Sequence, residues 1–235
     1  MTAGVIELAE LMLTSSERRL EFASRNVANT STPGYKRQVS FDDVVASARP
    51  TTTPSVSAYS DFSQGVLRQT GNALDLAITG AGFFAVRSDD QVFYTRDGQF
   101  QRAPDGRLVD AHGYALQSAD GGDLVVNDEH PRINADGSVI ENNLPVAQIG
   151  VFVGEPEHPM KALGGALFSA DAQGMSPSST PSLRQGALET ANVDMAAEML
   201  SMMTTLRQAE AGARLVQAYD SLTEESISTF GRSGR

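Results

Sequence analysis

The sequence predicts an α+β protein in which an N-terminal and a C-terminal helix pair as a coiled coil and enclose an antiparallel all-β middle domain. Apolar residues recur at heptad spacing near both ends of the 235-residue chain. Alternating apolar residues and Asp-Gly pairs occupy the middle, which is typical of short strands joined by tight turns. Acidic residues are concentrated in the middle, which suits ends buried in an interface and a body that faces water.

The charge distribution supports this division and excludes some partners. Residues 1–49 carry six acidic and six basic side chains, and residues 183–235 carry seven and five, which leaves 16 acidic and seven basic side chains for the middle. The formal net charge is −11, and Lys36 and Lys161 are the two lysines. A nucleic-acid partner and a polybasic membrane-binding patch are therefore not expected.

The N-terminus does not resemble a secretory signal. Glu7, Glu10 and Glu17 interrupt it where a signal peptide would be basic and then apolar. No apolar stretch approaches the roughly 18 residues that span a bilayer, so no membrane insertion is expected. The chain is expected to be either cytoplasmic or exported without cleavage.

The first element is a helix over residues 5–29. Its apolar positions recur every seven residues, as in the seam of a coiled coil. They are Ile6, Leu13, Leu20 and Val27. The helix ends where weak helix formers lead into the Pro33-Gly34 turn. A Pro- and Thr-rich stretch over residues 49–55 then predicts an extended spacer.

Residues 71–153 predict an antiparallel β domain. Leu74, Leu76 and Ile78 alternate with more polar residues, as in a half-buried strand. Asp-Gly pairs, a strong short-range hairpin signal, punctuate the segments that follow. They are Asp97-Gly98, Asp105-Gly106 and Asp136-Gly137. Residues 154–186 are rich in Pro, Gly and Ser and are expected to form loops.

The last element is a long helix over residues 195–230, with Asp194 as its expected N-cap. Apolar residues follow at alternating four- and three-residue steps, which predicts a second seam. They are Met195, Met199, Met202, Leu206, Ala209, Ala213 and Val216. Flexible Met side chains suit an interface between imperfectly equivalent neighbours. The two stripes form the predicted assembly interface; the alternative is that both helices only cover the β domain.

Four parts follow from these elements. They are an N-terminal helical domain over 1–35, an extended linker over 36–70, a β domain over 71–186, and a C-terminal helix over 187–235 that packs with the N-terminal helix. Neither helix can bury its apolar stripe alone. The sequence therefore predicts a self-assembling structural subunit of a filament or shaft.

No pattern in the sequence indicates catalysis. The chain has no Cys, and its three His residues lie beside turn residues without a metal-ligand spacing. Gly80-Ala81-Gly82 begins like a dinucleotide fingerprint, but strand-like residues follow it where a helix N-terminus would hold the pyrophosphate. We therefore expect no enzymatic activity, no cofactor, no metal site and no small-molecule substrate.

Four segments, in order along the chain, resemble the bacterial flagellar rod and hook proteins. Residues 24–37 read SRNVANTSTPGYKR and residues 74–84 read LDLAITGAGFF. Residues 94–100 read YTRDGQF and residues 186–194 read GALETANVD. The residues that carry this resemblance are Asn26, Ala28, Asn29, Thr32, Pro33, Gly34, Tyr35, Gly80, Gly82, Phe83, Phe84, Asn192 and Val193.

The resemblance implies a structural subunit of the flagellar basal-body rod that assembles helically, with its terminal helices innermost, and transmits torque from motor to hook. It also implies export through the flagellar type III apparatus without a cleaved signal peptide, and a location in the rod within the periplasmic space. The implied partners are other copies of this chain and neighbouring rod subunits. Length narrows the choice to a proximal and a distal rod member of the family. The short stretch over residues 36–73 favours the proximal member, and the distal member is the alternative.

Two other classes of function remain open. A peptidoglycan-cutting enzyme attached to the same apparatus would need a pair of catalytic carboxylates in a cleft. A cytoplasmic coiled-coil adaptor would carry similar helices, but it would be found in soluble extract and not in basal bodies.

Overall fold

The computed structural model describes six stretches of the chain, which are residues 3–42, 56–89, 91–128, 131–155, 158–171 and 174–232. Within them, α1 (Ala3–Ala28) comes first, short strands follow, and α2 (Met195–Arg232) comes last. The strands are β1 (Gln38–Asp42), β2 (Val56–Ser60), β3 (Leu67–Gln69), β4 (Leu76–Ile78), β5 (Phe83–Ser88), β6 (Gln91–Thr95), β7 (Gln101–Arg102), β8 (Leu108–Val109), β9 (Ala115–Leu116), β10 (Arg132–Ile133), β11 (Ser138–Glu141), β12 (Leu144–Gln148), β13 (Val151–Gly154), β14 (Lys161–Gly164), β15 (Leu167–Ser169), β16 (Met175–Pro177), β17 (Leu183–Gln185) and β18 (Ala187–Glu189). The spacer predicted over residues 49–55 lies outside the described residues.

The chain divides into two compact units. The helical unit comprises Met1–Ala28, Gln38–Asp61 and Asp194–Arg235. The β unit comprises Asn29–Arg37 and Phe62–Val193. The segment directly after α1, Asn29–Arg37, therefore belongs to the β unit. The four predicted domain ranges stay a prediction.

The helical unit contains α1, α2 and a hairpin of β1 and β2. β1 and β2 pair antiparallel, with Gln38 opposite Ser60. α1 contacts both α2 and β1. Gly212 of α2 lies against α1, because a Cβ atom added there would stand 3.6 Å from the Leu13 side chain and 3.8 Å from the Cβ of Met12. In the described residues, no helix is both long and apolar enough to cross a membrane.

The predicted coiled-coil pairing is wrong. The seam predicted in α2 includes four residues that are exposed instead of buried against α1, and they are Met195, Met199, Leu206 and Ala213. The buried positions of α2 are Glu198, Thr205 and Gly212. Each comes one position before a residue of the predicted seam, which is about 100° around a helix. Small and polar side chains occupy the buried face, so counting apolar residues alone selects a neighbouring face.

The β unit is built around β5, which is buried on both faces. Phe84 and Val86 point into the larger apolar cluster, and Phe83 and Ala85 point into a smaller one that includes Phe168. Such alternation is expected of a strand, whose successive side chains face opposite sides. β5 pairs antiparallel with β6, β9 and β13. The largest sheet has the strand order β14-β15-β6-β5-β9-β8-β7.

In two small sheets, the last two strands of the β unit pair with strands near its start. β17 pairs with β4, with Leu183 opposite Ile78. β18 pairs with β3, with Leu188 opposite Arg68. β4 is buried at all three positions, because Ala77 is as inaccessible as its two neighbours, so the strand is not half-buried as predicted.

The Asp-Gly pairs differ in what they do. Asp105-Gly106 lies in the turn between β7 and β8, and Asp136-Gly137 lies in the turn between β10 and β11. Asp97-Gly98 does not form the predicted hairpin, because β6 pairs with β5 and β15 and not with β7. A Cβ atom at Gly98 would stand 1.6 Å from the carbonyl oxygen of Leu76. Glycine is therefore required there for a close backbone approach.

Candidate functional site

α2 carries an apolar surface that the described helical unit leaves exposed. Its residues are Met195, Met199, Leu200, Met203 and Leu206, which are 44%, 50%, 63%, 55% and 49% exposed. Steps of three and four residues place most of them on one side of the helix. We call these five residues the exposed α2 face. Large exposed apolar patches occur at surfaces that bind proteins, membranes or ligands.

The predicted assembly residues fall into two described groups. Those that are half-buried are Leu13, Leu20, Val27, Met202, Ala209 and Val216. Those that are exposed are Met195, Met199, Leu206 and Ala213. The side chain of Ile6 lies outside the described part of the structure. The interface itself stays a prediction, since the structure contains one copy of the chain.

Asn26 connects the end of α1 to the start of β1. Its side-chain Oδ1 accepts a hydrogen bond from the Gln38 N–H at 2.9 Å, and its Nδ2 donates to the Gln38 carbonyl at 2.8 Å. An amide side chain can serve both backbone groups of one residue because it contains both a donor and an acceptor. This pairing explains a buried Asn at that position.

The turn after α1 requires glycine at position 34. The Asn29 side chain accepts a hydrogen bond from Thr32 Oγ1 at 3.2 Å, which closes the turn before Pro33. Gly34 has φ of +68°, and a Cβ atom there would stand 2.2 Å from the Arg96 carbonyl carbon. Its N–H donates to the Glu189 carbonyl at 2.8 Å. Both the conformation and the close approach exclude a larger residue.

Next in the chain, Tyr35 and Lys36 are buried in the β unit. Lys36 Nζ donates to Glu189 Oε1 and to the Ser63 carbonyl, both at 2.6 Å. The side chains of Lys36 and Glu189 have no exposed surface. A buried ion pair is tolerated only when its remaining hydrogen-bonding capacity is satisfied.

Arg96 provides the second cation for the same carboxylate. Its Nη1 donates to Glu189 Oε2 at 3.0 Å, and its Nη2 donates to the Gly80 carbonyl at 2.6 Å. The backbone N–H of Gly65 donates to Glu189 Oε1 at 2.8 Å. The guanidinium carbon lies 5.2 Å from the centre of the Phe83 ring, within cation–π range. We call these side chains the Lys36–Glu189–Arg96 cluster.

Burial determines the electrostatics of this cluster. It lowers the pKa of Arg96 below its ordinary value, and the neighbouring Glu189 carboxylate opposes that change. Within the described residues, the buried Nε of Arg96 has no hydrogen-bond acceptor. Because the cluster is sealed from solvent, it is suited to fixing the chain and not to meeting a substrate.

Asn192 ties the segment that follows β18 to residues 35–37. Its Oδ1 accepts from the Arg37 N–H at 2.7 Å, and its Nδ2 donates to the carbonyl and the hydroxyl of Ser63 at 3.1 and 3.0 Å. Its own N–H donates to the Tyr35 carbonyl at 3.4 Å. Val193 follows and is half-buried, whereas Ala28 at the end of α1 is exposed.

The two glycines before β5 adopt left-handed backbone conformations, and Gly82 also packs closely against β13. Gly80 and Gly82 have φ of +94° and +125°. A Cβ atom at Gly82 would stand 2.5 Å from Val151 Cγ1. The signature residues of this segment therefore position a carbonyl for Arg96 at Gly80 and the first two core aromatics of β5, Phe83 and Phe84.

Asp97 is an acidic residue of the β unit whose pKa differs strongly from its ordinary value. Its pKa is raised to about 6, chiefly by burial and also by the nearby Asp110 and Asp75 charges, while the Gln99 N–H and His112 oppose the change. These residues do not form a metal site, since no group of three or more His, Cys, Asp or Glu side chains in the described chain is arranged to hold an ion.

The Lys36–Glu189–Arg96 cluster was not among the predicted site residues. All three residues lie within segments that resemble the flagellar family, which was the available signal. The pairing itself could not be found by local pattern, because Lys36 and Glu189 are separated by 153 positions.

Comparison with known proteins places the chain among flagellar proteins. The family model described as the flagellar hook protein FlgE/F/G D1 domain matches residues 77–143, and that of the flagellar basal body rod FlgEFG protein C-terminal matches residues 184–229. The flagellar basal-body rod protein FlgF of Mesorhizobium japonicum is 30% identical over 92% of this chain and 92% of its own length. FlgF of Rhizobium meliloti is 28% identical over 92% and 93%. FlgG of Buchnera aphidicola subsp. Schizaphis graminum is 30% identical over 91% and 94%.

Proposed function

The chain belongs to the family of bacterial flagellar basal-body rod proteins, and we propose that it is a structural subunit of the rod that packs against its neighbours through the exposed α2 face. The observation that carries this proposal is that five large apolar side chains of α2 are each 44% to 63% exposed. In a free subunit these side chains face solvent and contribute no free energy of burial. A subunit surrounded by others gains the burial of every one of these side chains.

The chemistry of the exposed α2 face fits neighbours of related but unequal sequence. Three of its five residues are Met, whose unbranched thioether side chains adapt to irregular surfaces. Burying the exposed half of each side chain contributes about 1 kcal/mol apiece. The partners that suit this face are other copies of this chain and neighbouring rod subunits.

Several finer points belong to the same proposal. The subunits assemble helically with α1 and α2 innermost, so that the rod transmits torque from motor to hook. The chain reaches the periplasmic part of the rod through the flagellar type III apparatus without cleavage of a signal peptide. The FlgF relatives support a proximal rod position, and the FlgG relative supports a distal position as the second candidate.

A matched pair of Leu→Gln substitutions tests this function. Leu206 on the exposed α2 face is 49% exposed, and Leu163 of β14 in the β unit is 55% exposed. The two changes remove similar amounts of exposed apolar surface, and neither side chain belongs to the apolar clusters of the core. In a strain that lacks its own copy, we expect Leu206→Gln to reduce swimming and the amount of subunit in purified basal bodies, and Leu163→Gln to leave both unchanged.

Circular dichroism of the purified variants checks that both remain folded. Normal swimming and normal basal bodies with Leu206→Gln and a second change, Met199→Gln, would contradict the proposed packing surface. Finding the native chain in soluble extract and not in basal bodies would contradict the rod function itself and favour the adaptor.

A further inference from the structure

Three methionines of the exposed α2 face form a compact group. Met195, Met199 and Met203 follow one another at four-residue spacing, so each lies one turn of helix from the next. Their side chains are 44%, 50% and 55% exposed. About half of the surface of each residue is therefore open to small solutes in the free subunit.

These three methionines differ in exposure from other methionines of the chain, and no cysteine is present beside them. The sequence contains no Cys, so no thiol competes with them for an oxidant. Met175, in β16, is 9% exposed and belongs to an apolar cluster of the β unit. Met12 and Met202 are half-buried. The molecule thus contains an accessible set of methionines and a shielded one.

We propose that Met195, Met199 and Met203 are an oxidation site, and that their conversion to methionine sulfoxide blocks incorporation of the subunit into the rod. The second half of this inference rests on the proposed function, in which the exposed α2 face packs against neighbours. The first half depends only on the exposure of the three side chains.

The reaction needs a two-electron oxidant such as hydrogen peroxide. A sulfur lone pair attacks one peroxide oxygen, the O–O bond breaks, and an S–O bond forms. The departing oxygen takes up the proton of the transferred one and leaves as water. The sulfur is oxidised by two electrons and the peroxide is reduced, and methionine sulfoxide reductases can reverse the change.

The sulfoxide changes what the face can bind. A flexible apolar side chain becomes polar, and its oxygen needs a hydrogen-bond donor when it is buried. Three such groups within three turns of α2 place unpaired acceptors across a packing surface. Oxidation is restricted to the free subunit, because packed neighbours shield the sulfur atoms. The site therefore acts before incorporation and leaves subunits already packed unchanged.

The first test maps oxidation on the purified full-length protein. It is treated with hydrogen peroxide, and the extent at each Met is followed by peptide mass spectrometry with fragment ions that separate Met199, Met202 and Met203. We expect the three exposed residues to oxidise at least about tenfold faster than Met175. Equal rates at Met175 and at the three exposed residues would overturn the site.

The second test asks whether oxidation affects incorporation. Cells that make either the native chain or a Met195→Leu, Met199→Leu, Met203→Leu variant receive a pulse of hydrogen peroxide, and newly built basal bodies are counted. Leu preserves the apolar face and cannot be oxidised in this way. We expect the native cells to lose about tenfold more new basal bodies than the variant cells, since general damage is common to both.

The outcomes separate the two proposals. Selective oxidation with equal peroxide sensitivity in both strains would overturn the effect on incorporation and leave the rod function standing. Absence of the unoxidised native chain from basal bodies would overturn the rod function, whereas the mapped site would stand. If the triple variant does not assemble without peroxide, the single Met199→Leu variant takes its place, and a smaller difference in the same direction is expected because two oxidisable residues remain.

Discussion

At the scale of single residues, the carboxylate of Glu189 joins parts of the β unit that are distant in sequence. It accepts hydrogen bonds from Lys36, Gly65 and Arg96, which lie 153, 124 and 93 positions away. Two cations share one buried carboxylate, so its removal takes away a negative charge that both of them contact. Breaking a buried ionic group in this way is more costly than the net energy of forming it.

Glu189→Gln is expected to lower the free energy of unfolding by about 3–5 kcal/mol. The amide keeps the shape of the side chain but provides no charge for Lys36 and Arg96. Chemical denaturation of the full chain measures the change. The matched control is Glu210→Gln, the same chemical change at an exposed position of α2. A loss of less than about 1 kcal/mol for Glu189→Gln would show that the cluster is not a major source of stability.

Asp97 gives the β unit a defined pH dependence. Burial raises its pKa from 3.8 to about 6, so the folded chain binds a proton more tightly there than the unfolded chain does. Asp97 therefore makes the folded state less stable as pH rises. The contribution of Asp97 is most favourable below pH 3.8, is lost as pH rises through about 6, and is constant above that.

Asp97→Asn is therefore expected to stabilise the protein at pH 8 and to have little effect near pH 3.5. Asn keeps an oxygen that can accept the Gln99 N–H, as Asp97 Oδ1 does at 3.0 Å. Because the carboxyl is part-exposed and solvent screens it, we expect a gain of about 1–2 kcal/mol at pH 8. Unfolding free energies across this pH range measure it. A gain that is equal at both pH values would rule out titration of Asp97 as its cause.

Single residues also show which parts of the site could be predicted. Asp194 was identified as an N-cap from its position alone, and its Oδ1 accepts from the N–H groups of Ala196 and Ala197 at 2.9 and 3.2 Å. A cap involves residues within one turn, so the local sequence contains the necessary information. The partners of Glu189 come from three distant segments, and a single sequence does not reveal such pairings.

At the scale of elements, both long helices were predicted to within two residues at each end, whereas the buried face of α2 was not. Heptad spacing does occur on that face, but at Glu198, Thr205 and Gly212, which are charged, polar and small. Apolar residues are normally the best guide to a buried face. In a subunit proposed to pack against neighbours, they also mark surfaces that are exposed in the single chain.

Gly212 provides a direct test of the contact between the helices. Glycine inside a helix costs about 1 kcal/mol relative to alanine. A Cβ atom at this position would meet Leu13 at 3.6 Å, which is ordinary van der Waals distance. Gly212→Ala is therefore expected to stabilise the helical unit by about 0.5–1 kcal/mol. Thermal unfolding followed by circular dichroism at the helical band measures the change.

The outcome depends on the size of the new side chain. Gly212→Leu is the matched comparison, because a larger side chain cannot occupy the same space without moving Leu13 or Met12. We expect it to destabilise the helical unit by about 1–3 kcal/mol. Equal melting of the two variants would mean that α1 and α2 do not pack at this residue.

At the scale of the whole molecule, the four predicted domain ranges stay a prediction, and the two compact units offer other boundaries to test. The predicted domain boundaries lie at residues 35, 71 and 186. The compact β unit instead includes Asn29–Arg37 and continues to Val193. The buried members of its two apolar clusters lie within residues 76–183. The added segments contribute the buried side chains of Tyr35, Lys36, Leu188 and Glu189.

Two fragments decide between these boundaries. Residues 29–193 keep every member of the Lys36–Glu189–Arg96 cluster, and residues 71–186 keep the core but lose Lys36 and Glu189. Residues 38–61 stay in the longer fragment as the connection between its two parts, and closing such a connection costs little free energy. We expect both fragments to show β-type circular dichroism and the longer one to unfold at higher denaturant concentration. Equal midpoints would support the boundaries at 71 and 186.

Glu189→Gln in the longer fragment then tests whether the cluster is independent of the helices. Lys36, Arg96, Gly65 and the Ser63 carbonyl all belong to the β unit. Its loss of unfolding free energy should therefore agree with that in the full chain to within about 0.5 kcal/mol, as expected of sites that share no partners. A much smaller loss in the fragment would mean that α1 or α2 contributes to the cluster, and the β unit would then not be a separate folding unit.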